Sequence, residues 1–199
     1  MEGLHFKLIR TPEEASDQLD ACKLLGSPVM PANYLESLNL EEGDYFVGQI
    51  WCDALPVKNP LFPQKGFLYF FVNIDSLTPR VFYTKKDPAE VIDGMNEQFD
   101  ADSCGDPTCL KMEFVDDPEL GSYVFGPVDP NMGLEMATDT NGKVVLLQID
   151  SLEFSEKENE RPLTFGVYGF SDHRWVFLID EADLKKGRFD RVELVETES

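Results

Sequence analysis

The chain has 199 residues, of which 42% are hydrophobic, enough to bury a substantial core as one domain spanning 1–199. Its 38 acidic residues against 17 basic ones give a net charge of -21, a surface that repels phosphate backbones and anionic bilayers and attracts cations. Nucleic acid and membrane are therefore excluded as partners, and a basic protein is the macromolecule this composition tolerates best.

The N-terminal segment Met1–Arg10 has neither a long apolar run nor a small-residue cleavage site, so it does not read as a signal peptide. The longest apolar run, Phe67–Val72, is too short to span a bilayer. Cys22, Cys52, Cys104 and Cys109 are scattered and read as free thiols, and the chain as a cytoplasmic monomer.

In chain order, Leu4–Ile9 reads as a short strand. Thr11-Pro12-Glu13-Glu14 combines a cap, a first-turn proline and a capping glutamate, predicting a helix over 12–25 that stops at Gly26. Tyr45–Cys52, the apolar Phe67–Ile74 and Arg80–Tyr83 read as strands. Asp87-Pro88-Ala89-Glu90 repeats the capping pattern and predicts a second helix over 88–99. Cys109–Val115 alternates as an edge strand would, and Asp116–Pro130 is rich in turn residues. Asn141-Gly142 signals a hairpin joining Leu134–Thr138 to Val144–Ile149. Arg174–Ile179 is a strand, Ala182–Lys186 a helical turn ended by Gly187, and Phe189–Val195 the last strand.

Two stretches echo each other. Gln49-Ile50 is followed by a loop, the buried run Phe67–Val72 and Val81-Phe82; Gln148-Ile149 is followed by a loop, Trp175–Ile179 and Val192–Leu194. This predicts pseudo-repeats at 45–99 and 134–196. The fold class that follows is α+β and mainly β: two similar β-sheet units, related by internal duplication, packed together with two or three peripheral helices.

Gly48-Gln49-Ile50, Leu55-Pro56, Phe62-Pro63, Lys65-Gly66-Phe67-Leu68-Tyr69-Phe70-Phe71 and Leu146–Asp150 recur in an order that resembles the YwqG-like family, as do the C-terminal apolar strand, Asp183-Leu184 and Phe189. The resemblance covers most of Tyr45–Val195. It departs at Ser171-Asp172-His173-Arg174, where the family often carries Gly-Asp. It implies a duplicated, β-rich fold and leaves activity open.

The candidate chemistry is sparse. Cys104 and Cys109 are two thiols without the second pair a zinc site needs. Asp100, Asp102 and Asp106 open like a calcium loop, but Cys104 and Lys111 stand where oxygen ligands belong. His173 with Asp172 does not form a general-base pair, since neighbours on a strand face opposite ways. No cofactor, metal or catalytic residue is assigned. Gln49, Trp51, Gln148 and Trp175 lie on the echoing strands, where amide and indole groups can line a cleft between repeats. Asp102, Asp116 and Asp117 crowd an acidic, loop-rich stretch. The leading expectation is a non-enzymatic interaction module for a basic protein, of the immunity or antitoxin kind. The alternative is a ligand-binding protein or hydrolase with a cleft between the repeats.

Overall fold

The computed structural model describes residues 2–10, 22–73, 75–92, 110–130, 134, 138–150 and 173–198. Among these residues twelve strands run β1 (Leu4–Arg10), β2 (Lys23–Leu24), β3 (Val29–Met30), β4 (Asp44–Trp51), β5 (Phe67–Asn73), β6 (Thr78–Thr84), β7 (Glu90–Val91), β8 (Leu110–Phe114), β9 (Tyr123–Pro127), β10 (Lys143–Asp150), β11 (His173–Asp180) and β12 (Glu193–Glu198). Ten of them form one sheet in the order β12-β11-β10-β9-β1-β8-β2-β4-β5-β6, and β3 pairs with β7 alone. The edge strands β6 and β12 approach each other without being hydrogen-bonded neighbours, so the sheet curls into a barrel left open along one seam.

This corrects the α+β expectation of two packed sheet units with peripheral helices. The fold is mainly β with a single large sheet. Among the described residues the sole α-helix is α1 (Glu181–Leu184), one turn long. Lys23-Leu24, placed at the end of a helix by the capping signals, instead bridges β4 and β8 as a strand. Glu90-Val91, placed in the second helix, pairs with Val29-Met30. Local capping propensity lost in both places to long-range pairing. The remainder of both expected helices, and the Cys104–Cys109 loop with Asp100, Asp102 and Asp106, lie outside the described residues.

The strand order is symmetric about the β1–β8 pair. Lys23 faces Gln49 and Lys111, as Tyr123 faces Gln148 and His5. Each long strand carries a β-bulge at the matching place, Val47 in β4 and Leu146 in β10. Leu25 and Phe125, one residue beyond Leu24 and Val124, both adopt positive φ, 59° and 55°. The amide of Phe6 donates to Ser122 O, and that of Met112 to Cys22 O. β1 therefore stands beside the β9–β12 half, and β8 beside the β2–β6 half: the two halves exchange a strand.

Apolar side chains fill the barrel interior from both halves. Phe70 and Phe177, at matching positions and fully buried, meet edge to face with centroids 5.1 Å apart. Phe62 stacks on Phe125 at 4.7 Å. The outer face of each half has its own smaller cluster: Phe46, Tyr69 and Phe71 beneath Met30 and Leu38 in one, and Tyr123, Val145, Val176 and Leu178 with Leu134 in the other.

Candidate functional site

Gln49 and Gln148 occupy matching register positions, both fully buried, on the outer-face side of β4 and β10. Their hydrogen bonds differ. Val29 N donates to Gln49 Oε1 at 2.9 Å, and Tyr69 OH donates to Val29 O at 2.8 Å, so one residue of β3 is clamped at both its backbone groups. Gln148 Nε2 donates to Gly121 O, which fixes the amide's orientation, and Oε1 is buried with no hydrogen-bond partner.

The strand ends next to these amides have also diverged. In the first half Trp51 stacks on Phe67, ring centroids 6.1 Å apart, extending through Tyr69 to Tyr34 as an aromatic row. The matching pair in the second half is Asp150 and Arg174. Arg174 Nε donates to Asp150 Oδ2 at 2.9 Å, and a second guanidinium nitrogen contacts the same oxygen. Cys22 Sγ accepts from Trp51 N at 3.3 Å, as Ser122 Oγ accepts from Asp150 N at 3.0 Å. A Cβ on Gly121 would collide with the Asp150 carboxylate, so glycine permits this approach.

An aromatic plug thus closes one half, and a polar cleft of about 290 Å³ opens in the other. Its lining includes His5, Glu119, Asp129, Gln148 and Arg174, with Tyr123 behind them. His5 Nδ1 lies 2.8 Å from Leu120 O, which casts Nδ1–H as the donor and leaves Nε2 as the acceptor of the neutral ring. The His5 and Tyr123 rings are 5.3 Å apart. Tyr123 OH donates to Pro127 O at 2.8 Å; burial first, and then the Asp129 charge, push this phenol up so that it stays protonated. One wall is the turn 116–120, in which Glu119 N donates to Asp117 Oδ1 at 3.2 Å.

Of the residues singled out from sequence, Gln148 lines this cleft, while Asp116, exposed, and Asp117, half-buried, belong to the turn that walls it. Gln49 lies in the opposite half under β3. Trp51 joins the aromatic row. Trp175, 6% exposed, packs into the barrel core at a position matching Leu68 and not Trp51. Asp102 lies outside the described residues. Sequence reasoning missed His5, Asp129 and Arg174; the one available signal was that Asp150, aligned with Trp51 in the echo, puts a carboxylate where its counterpart is aromatic.

A larger groove of about 620 Å³ runs over β6 between Tyr34 and Phe189, but its Arg80 is held by Glu41 at 2.6 Å and Asp44 at 3.0 Å. Burial pushes the Cys22 and Cys52 thiols up to about 12, so neither is a nucleophile near neutrality. Among the described residues no cluster of His, Cys, Asp and Glu is arranged to hold a metal ion, and no helix is long and apolar enough to cross a membrane. Comparison with protein-family models and with curated proteins finds no match to this chain.

Proposed function

We propose that the chain is a non-enzymatic binding module for a basic protein, docked on the acidic turn 116–120 and the cleft behind it. The observation that carries this reading is the continuity of the two: the turn bearing Asp116, Asp117 and Glu119 is itself a wall of the cleft, which adds Asp129. Glu119 and Asp129 line the cleft together with Gln148, whose buried Oε1 lacks a donor, and Asp116 and Asp117 stand on the adjoining turn. The excess of 21 negative charges extends this local field, steering a cationic partner toward the surface. A cytoplasmic, monomeric protein of YwqG-like kinship, with an immunity- or antitoxin-like role, is part of the same proposal.

The test is affinity capture from the native host at low and high salt, followed by kinetics on the partner recovered. Screening acts over about 8 Å at physiological salt, so recovery should fall as salt rises. Neutralising the turn with Asp116→Asn, Asp117→Asn and Glu119→Gln should slow association about tenfold while changing dissociation less. A partner whose binding ignores both salt and these substitutions would refute the electrostatic reading.

A further inference from the structure

We infer that the cleft beside Gln148 seats a single primary ammonium group, the end of a lysine side chain on the basic partner; this rests on the binding function proposed above. The two matching glutamines differ in how their amide oxygens are satisfied. In one half the amide oxygen is satisfied by Val29 N. In the other the counterpart oxygen has no donor, although it is buried and its residue lines an open cleft. A buried carbonyl oxygen without a hydrogen bond is costly, and a ligand that supplies the donor recovers that cost on binding.

The surrounding groups specify the donor. His5 offers Nε2 and Glu119 offers a carboxylate, and Asp129 adds negative charge to the lining, so the cleft suits a cationic donor. Among the described lining residues Arg174 is the one Lys or Arg, and it is engaged by Asp150. A guanidinium is best met by a carboxylate that accepts its planar fork; Asp150, the carboxylate set for that role, is already occupied by Arg174. An ammonium instead presents three donors in a compact, tetrahedral head. That suits acceptors contributed by β1 (His5), β10 (Gln148) and the turn after β8 (Glu119). A cleft of about 290 Å³ has room for one aliphatic stem ending in such a head. The first half shows the closed alternative: there Trp51 and Phe67 fill the matching place.

The experiment is a titration of the ¹⁵N-labelled full chain, followed by amide shifts, with four probes: N-acetyl-lysine-N-methylamide, its Nε-acetylated form, the corresponding arginine amide, and the diamine putrescine. The lysine probe should shift the Gln148 side-chain amide together with Gly121, Leu120 and Asp129, with a Kd of the order of 1 mM. The Nε-acetyl form should leave them unmoved, and arginine should bind about tenfold more weakly. Putrescine binding more tightly than the lysine probe would overturn the assignment to a protein side chain in favour of a free amine. Glu119→Gln, at an exposed rim position, should weaken the lysine probe several-fold, and Gln148→Leu about tenfold, with each variant's fold checked by its thermal midpoint. Absence of shifts at these residues up to about 50 mM lysine probe overturns the inference. If salt-sensitive capture by the acidic turn survives that result, the binding function stands and only the ammonium site is lost.

Discussion

At the scale of single residues, the two glutamines show how one side chain serves different ends in matching places. Gln49 is structural: its oxygen takes the amide of Val29, whose carbonyl is taken by Tyr69. Gln49→Leu strands that amide in the core and should cost about 2 kcal/mol. Gln148→Leu removes the donor to Gly121 O but also removes an acceptor that had no partner, so its cost should stay below about 1 kcal/mol. Urea unfolding of both variants, compared at equal m-value, checks the order; equal losses would mean that the Gln148 oxygen is satisfied in solution. The sequence exposed both glutamines through the repeated Gln-Ile pair, but not the asymmetry between them, which depends on what a remote segment brings alongside.

At the scale of elements, the matching strands preserve an ion pair with its signs exchanged. Asp44, at the start of β4, holds Arg80 of β6, with Arg80 Nε 3.0 Å from Oδ2. Lys143, at the start of β10, holds Glu193 of β12 at 2.6 Å. The Asp44 side chain is fully buried and takes a further hydrogen bond from Asn73 Nδ2 at 3.1 Å, so the carboxylate depends on its cation. Arg80→Glu places a second carboxylate there and should cost about 3 kcal/mol. Adding Asp44→Lys recreates the arrangement of the other half and should recover at least half of the loss in a double-mutant cycle. Recovery near zero would show that the Asp44 site tolerates only the original polarity. The long strands were legible in sequence because their apolar runs are strong: Tyr45–Cys52, Phe67–Ile74 and Arg174–Ile179 fall within a residue or two of β4, β5 and β11. β2 and β7 were not, because a two-residue strand has no pattern of its own and exists through its neighbours. β9 was hidden by Gly121, Gly126 and Pro127, read as turn residues, and β8, expected at an edge, lies near the centre of the sheet.

At the scale of the whole molecule, the exchanged strands make the two ends of the chain unequal. β1 lies between β9 and β8, so its backbone serves two ladders and joins the halves. Its Phe6 is fully buried, and His5 supplies a wall of the cleft. β12 pairs with β11 alone and borders the open seam. An edge strand can leave without separating what remains, whereas removal of a central strand leaves two unpaired edges facing a gap one strand wide. Deleting residues 1–10 should therefore abolish cooperative unfolding, because β9 and β8 do not pair with each other and the barrel interior, including the Phe70–Phe177 contact, would open to water. Deleting residues 193–199 removes Leu194, Val195 and the Glu193 partner of Lys143, and should lower the thermal midpoint while leaving one cooperative transition. Calorimetry of the two truncations separates these outcomes. If the chain lacking β1 still melts in a single transition with undiminished enthalpy, then β8 has closed onto β9, and the β1 bridge is not what holds the halves together.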